Sequence, residues 1–337
     1  MASQYRDAAA RVILAPKDLE RFGGGTSLSP LGAALLRHQR ETWPLLRAGY
    51  AGLAHVETRA FAFDGYVVRV QCNPGRITSS SASVDEQSIR GRKCFLCLPH
   101  LPPEQRGVAF GESYVLLCNP FPIFPEHFTI PHREHVPQRI EGSFGDLLEL
   151  ARAMGDRYTL FYNGPRCGAS APDHLHFQAG SKGFMPIDAE YTEVIRRYGR
   201  VVKAHRDLRC IAVEGYLRRF IAFESTSSPV LEAAFAGLLA RLKLTLSENE
   251  EPMLNILASY QEGWRVLVFP RARHRPSFFS AEGEEKMLIS PAAVDLGGVC
   301  ITPLERDFRR ITREHVVRMF EEVTLGIAPF NEVVLSL

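Results

Sequence analysis

Gly168-Ala169-Ser170-Ala171-Pro172-Asp173-His174-Leu175-His176-Phe177-Gln178 joins a loop of small residues to an alternating apolar and polar run. In a strand, side chains two apart share a face. His174, His176 and Gln178 are therefore expected on one face, with Leu175 and Phe177 turned into a core. The small residues ahead of them let backbone N–H groups approach an anion closely, which makes Gly168 and Ala169 candidate phosphate contacts. A histidine facing such a pocket can attack phosphorus, because neutral imidazole is a good nucleophile near pH 7. Gln178 cannot titrate, but its amide can donate to a phosphate oxygen, as can the Ser170 hydroxyl. The bland alternative is a pair of strand histidines lining a polar face, or a plain metal site. Gln178 and the Gly-x-Ser-x-Pro loop beside the histidines favour phosphorus chemistry.

Working outward, residues 158–163 and 174–179 read as strands around the loop NGPRCGASAPD, and residues 143–156 as a helix. Two apolar runs within 113–131 read as two more strands. Residues 54–72 alternate and read as a hairpin turning at Asp64-Gly65. Residues 31–50 carry Leu35, Leu36, Trp43, Leu45 and Leu46 at helical spacing. Residues from about 190 to 247 are expected to be mostly helix. A strand is expected over 263–270 and a helix from about 312. Trp264 is expected in the core.

At 337 residues, two packed halves or one large domain are expected. Apolar residues at 45% and charged residues at 23% exclude a disordered chain. Forty basic against 38 acidic side chains give +2, which argues against a dedicated nucleic-acid binder and leaves room for a local basic pocket. No apolar run approaches the roughly 20 residues of a membrane span. The N-terminal stretch has charges scattered through its apolar part, unlike a signal peptide. Together with seven unpatterned cysteines, this gives the expectation of reduced thiols and a cytoplasmic setting.

Two local patterns remain. Cys94 and Cys97 form a CxxC pair that either binds a soft cation or packs as two buried thiols, and zinc would want two further ligands. The segments Ile130–Pro137 and Phe269–Pro276 share the pattern apolar, Pro, basic, two variable residues, His, one variable residue, Pro. Each follows a predicted strand, so the pair reads as a trace of duplication. In the second copy, Arg271, Arg273, His274 and Arg275 form a basic turn suited to phosphate, or simply a solvated loop. His132 and His135 are given no role.

The HxHxQ run after a Gly-x-Ser-x-Pro loop resembles the histidine-triad (HIT-like) superfamily in its transferase branch. That branch includes galactose-1-phosphate uridylyltransferase, diadenosine tetraphosphate phosphorylase (ATP adenylyltransferase) and GDP-hexose phosphorylases. The resemblance implies an α+β fold: a HIT-like antiparallel sheet with helices, in two tandem HIT-like halves. The expected halves are residues 1–190, with the catalytic motif, and 191–337, a degenerate half completing the substrate site. It makes His176 the nucleophile of a nucleotidyl-histidine intermediate, with His174, Ser170 and Gln178 beside it. Gln178 stands where the hydrolase branch has a third histidine, which favours transfer over hydrolysis. Asn73, Arg76, Ser79, Ser80 and Asn163 match nucleotide-contacting positions. Cys94, Cys97, His127 and His174 match a metal set, implying a structural zinc ion and no organic cofactor.

The expected activity is a nucleotidyltransferase or phosphorylase acting on a dinucleoside polyphosphate or a nucleoside-diphosphate compound. Its partners would be the nucleotide substrate and phosphate or a phosphorylated acceptor, without nucleic acid or membrane, in a monomer or homodimer. Two other readings stay open at this point. One is a HIT-type nucleotide hydrolase or phosphoramidase, and the other is a non-catalytic nucleotide- or zinc-binding protein.

Overall fold

The computed structural model describes residues 2–77 and 86–337. The expected Ser79 and Ser80 contacts lie outside the described residues. The chain opens with helix α1 (Ala2–Val12), then α2 (Leu28–Thr42) and α3 (Pro44–Leu53). The single helix expected over 31–50 is broken because Pro44 has no N–H to continue α2; Trp43 is extended and Pro44 starts the next helix. The hairpin β1 (Glu57–Phe63) and β2 (Tyr66–Cys72) follows. Phe63 pairs with Tyr66 across Asp64-Gly65, and Gly65 takes φ 77°, the left-handed conformation this turn requires.

Strands β3 (Gly107–Phe110), β4 (Tyr114–Cys118) and β5 (His127–Pro131) lead to helix α4 (Phe144–Met154), then β6 (Tyr158–Asn163) and β7 (His176–Ser181). Helix α5 (Pro186–Tyr198) connects to β8 (Gly199–His205), β9 (Leu208–Val213) and β10 (Phe220–Ser225). Helix α6 (Ser228–Leu246), β11 (Leu254–Tyr260) and β12 (Trp264–Pro270) complete the pattern. Strand β13 (Val299–Thr302) and helices α7 (Arg313–Val323) and α8 (Ile327–Leu335) close the chain.

Three strands therefore replace helix in the 190–247 segment. β9 and β10 are buried over most of their length, which removes the period-two signal. β8 is an exposed edge carrying Arg200 and Lys203, so its polarity resembled a helix surface.

One sheet of ten strands runs through the molecule in the order β3-β4-β5-β7-β6-β11-β12-β10-β9-β8. Its two ends are topologically alike. β3, β4, β5, α4, β6 and β7 repeat as β8, β9, β10, α6, β11 and β12, with the same strand order counted inward from each edge. The repeats meet where β6 pairs antiparallel with β11, Asn163 facing Asn255. This is the expected α+β fold of tandem halves.

The proline-histidine echo does not trace that repeat of strand order. β5 is the third strand of its repeat and β12 the fifth, so the two turns are not equivalent positions. Both instead lie at one end of the sheet, where Pro131 pairs with His176 and Pro270 with Leu254.

Cores lie on both faces of the sheet. Phe177, Ala179, Leu160 and Tyr162 face α2, α4, α6 and α8. Phe161 and Leu257 face the other way, toward α7 and a small sheet β1-β2-β13. By strand alternation His176 and Gln178 share this second face, at the edge of its core. Trp264 is buried, and its indole N–H donates to Leu148 O.

Candidate active site and metal cluster

A cavity of about 550 Å³ opens on that face. His176, Gln178, Ser170, Gly168, Ala169, Asn163, Arg76 and His274 line it, so eight of the expected site residues share one space. Two further cations, Arg92 and Arg275, line it as well. The segment between β12 and β13 adds Ser290, Ala292 and Asp295. Gly168 sits at φ 106°, and a Cβ there would lie 2.6 Å from Ala292 Cβ, so the loop of small residues is pressed against the C-terminal half.

His176 is held at three atoms. Gln138 Oε1 accepts from its backbone N–H at 2.7 Å, and Gln138 Nε2 donates to its carbonyl at 3.1 Å. The ring Nδ1 is 2.8 Å from the His174 carbonyl oxygen, which can only accept, so the proton sits on Nδ1. Nε2 keeps its lone pair and has no protein partner among the described residues. Burial pushes the pKa of His176 down, which keeps the ring neutral. Gln138 carried no signal in the sequence, because a buried glutamine serving backbone groups matches no motif.

The basic turn divides. His274 and Arg275 reach the cavity, where Ser290 Oγ lies 3.3 Å from His274 Nε2 and accepts from Arg275 Nε at 3.0 Å. Arg271 does not line it. It is buried, and its guanidinium donates to Asn255 Oδ1 and to the carbonyls of Val323, Pro291, Arg273 and His274. That use of its donors removes Arg271 from the phosphate contacts and makes it a brace. Arg273 is exposed, 3.7 Å from Glu322, and is also outside the cavity lining. Asn73 is buried and donates to Gln71 Oε1 and Pro122 O, so it holds the hairpin end and does not line the cavity. Asn163 lines the cavity while its Oδ1 accepts from Asn255 and from the Ala293 backbone.

Asp295 was absent from the sequence expectations. It is buried, accepts from the Ala292 and Ile301 amides, and its carboxyl is pushed up to about 6 by burial.

Behind the loop lies a cluster of Cys94, Cys97, His135 and His174, whose potential ligand atoms all fall within 4.8 Å of one another. His135 takes the place expected for His127. His127 is on β5, where its Nε2 meets Gln178 instead. His135 lies in the turn after β5, which folds back so that its ring stands 5.0 Å from the His174 ring. The proline-histidine pattern thus contained a member of this cluster that alternation alone could not reveal. The expected catalytic placement of His174 also changes: β7 begins at His176, and the His174 ring faces the cysteines.

The donor set fits zinc. His174 Nδ1 lies 3.2 Å from Cys94 Sγ and 3.6 Å from Cys97 Sγ, and His135 Nδ1 lies 3.2 Å from Cys97 Sγ. Tetrahedral zinc–sulfur and zinc–nitrogen bonds place N and S about 3.6 Å apart. The outer nitrogens are engaged as zinc-bound histidines require: His174 Nε2 donates to His132 O at 2.7 Å, and His135 Nε2 faces Asp173 at 3.6 Å. Arg92 then ties Asp173 to the Ser170 carbonyl, joining the cluster to the loop. All seven cysteines are buried and none is in a disulfide.

The neutral buried histidines set an acid limit on stability. Burial lowers His127 to about 3, and burial with the nearby Arg275 and Arg271 lowers His274 to about 4. Below about 6.5 the unfolded chain takes up protons that these rings refuse when folded. Stability is therefore fully present above that pH and falls as pH drops toward 4. Unfolding free energies from urea titrations should decline between pH 7 and pH 5 by about 1–2 kcal/mol per histidine. His274→Asn should shallow the slope; an unchanged slope would show that His274 already charges in the folded protein.

The fold is the expected α+β, HIT-like one. Residues 35–181 match a family model described as a domain of unknown function (DUF4922). Residues 193–336 match the GDPGP1-like, C-terminal domain. The chain has the fold of yeast Ap4A phosphorylase Apa2, solved in complex with Ap4A, at TM-score 0.56 and 15% identity over 89% of this chain and 99% of that one. A DUF4931 family protein from Bacillus cereus matches at TM-score 0.34 and 16% identity over 49% of this chain and 84% of that one. No curated protein matches the chain by sequence. Among the described residues, no helix is long and apolar enough to cross a membrane.

Proposed function

We propose that the protein is a nucleotide phosphorylase or nucleotidyltransferase working through a nucleotidyl intermediate on His176. The observation that carries this reading is the His176 ring: Nδ1–H is bound to a backbone carbonyl, and the lone pair on Nε2 is left to the cavity beside Gln178. In the first step Nε2 attacks the α-phosphorus of a bound nucleotide and the bond from phosphorus to the leaving oxygen breaks. In the second step an oxygen of inorganic phosphate, or of another phosphorylated acceptor, attacks that phosphorus and the P–N bond breaks. The Gln178 amide, the Ser170 hydroxyl and the backbone of 168–171 stabilise charge on the transferring group. Arg76, Arg92 and Arg275 neutralise the remaining phosphates. Trp43, Phe95, Leu101 and Phe121 supply apolar walls suited to a base.

The likeness to an Ap4A phosphorylase and the GDPGP1-like C-terminal part support a substrate that is a dinucleoside polyphosphate or a nucleoside-diphosphate compound. A structural zinc ion held by Cys94, Cys97, His135 and His174 would fix the loop ahead of His176 without touching substrate.

Incubation with dinucleoside tetraphosphates and nucleoside-diphosphate sugars tests this. Nucleoside diphosphates should form only when phosphate is present. Equal turnover without phosphate, yielding nucleoside monophosphates, would instead make the protein a hydrolase.

A further inference from the structure

Gln178 has two chemically opposite ends, and the one facing the cavity decides what it can bind. Its amide nitrogen donates to a phosphate oxygen, whereas its carbonyl repels one. The partner that selects between them is His127, on the neighbouring strand. Thr129 pairs with Gln178 and His127 with Gly180, so His127 and Gln178 are diagonal neighbours across β5 and β7.

His127 is fully buried, with its ring 5.2 Å from Phe124 and 6.0 Å from Phe161. Its Nδ1 lies 3.3 Å from the Ile123 backbone nitrogen, which can only donate. Nδ1 therefore carries the lone pair and Nε2 carries the proton. Nε2 lies 3.1 Å from Gln178 Oε1, so the ring donates and the Gln178 carbonyl accepts. The opposite flip would set N–H against N–H at one end of the ring or the other, in a dry core. With the carbonyl fixed, the amide nitrogen is left to the cavity. Among the described residues nothing accepts from it.

We propose that His127 is a positioning residue that locks Gln178 in the one flip state whose N–H groups face the transferring phosphoryl group. This rests on the proposed reading of the cavity as a phosphoryl-transfer site. His127 makes no contact with substrate. It gives Gln178 a permanent donor role and rules out an acceptor role toward a protonated ligand.

Two variants separate this from simple packing. His127→Phe keeps an aromatic ring without the donor, and His127→Gln restores an N–H near the position of Nε2. His127→Phe should lower kcat roughly ten- to hundred-fold with KM little changed. His127→Gln should recover most of that loss. In a Gln178→Ala background His127→Phe should add nothing. Equal loss in both variants, or losses that multiply in the Gln178→Ala background, would overturn the proposal.

A second readout does not depend on turnover. With 15N-glutamine labelling, the Gln178 side-chain NH2 pair is assigned by its loss in Gln178→Ala. In the wild type that pair should be rigid and should move when a nucleoside monophosphate is added. It should become mobile in His127→Phe and rigid again in His127→Gln. An unchanged pair in His127→Phe overturns the positioning role even if no nucleotide donor is turned over, in which case the proposed function fails separately.

Discussion

His176→Ala is expected to abolish nucleotide transfer, lowering kcat by a factor on the order of 10⁴ or more. The size follows from the geometry. Nε2 of His176 is the only ring nitrogen among the described cavity-lining residues with both an unengaged lone pair and Gln178 beside it; His274 Nε2 is already within reach of Ser290. Alanine removes the nucleophile and leaves its scaffold, because Gln138 binds the backbone N–H and carbonyl of residue 176 and not the ring. The variant should therefore fold and still bind nucleotide. Steady-state rates with a dinucleoside polyphosphate, alongside circular dichroism and nucleotide titration, check this. A variant that keeps more than a few per cent of the wild-type rate would show that phosphate attacks the nucleotide directly.

The metal cluster carries the second large effect. The purified protein should contain about one zinc ion per chain by elemental analysis. Cys94→Ser with Cys97→Ser should lose it, at a cost of several kcal/mol of stability, since binding energy at such a site is folding energy. Activity should fall with the metal, because Arg92 and Asp173 link the cluster to Ser170 and His174 lies two residues before His176. The choice of histidine gives the discriminating comparison. His135→Phe should release the ion and His127→Phe should retain it. The reverse result would mean that the cluster geometry in solution is the one implied by family resemblance, with His127 as ligand.

Much of the site was legible because its chemistry is local in sequence. His176, Gln178, Ser170 and the glycine-alanine loop are fixed by one short stretch, so alternation and small-residue loops locate them together. The hairpin at Asp64-Gly65 was legible for the same reason, since a two-residue turn needs a residue at positive φ. What failed was information spread along the chain. Arg271 and Arg273 look like Arg275 in sequence, yet only the last lines the cavity, because Arg271 is consumed by a network reaching Asn255 and Val323. His127 and His135 lie eight residues apart, and the turn between them decides which one meets the cysteines. β9 and β10 were hidden because burial along most of their length erases alternation. The repeat itself is legible only in the strand order of the folded sheet. The proline-histidine echo suggested duplication for a reason the topology does not support.

The proposed mechanism requires a covalent bond between His176 and a nucleotidyl group. It is tested most directly by mixing the protein with a dinucleoside polyphosphate or nucleoside-diphosphate sugar in the absence of phosphate, then mapping adducts by mass spectrometry under mildly alkaline conditions. A gain of one nucleoside monophosphoryl group on His176 is expected, labile to acid and discharged as nucleoside diphosphate when phosphate is added. Turnover of the same donor with His176 unmodified, or an adduct on any other residue, would contradict it.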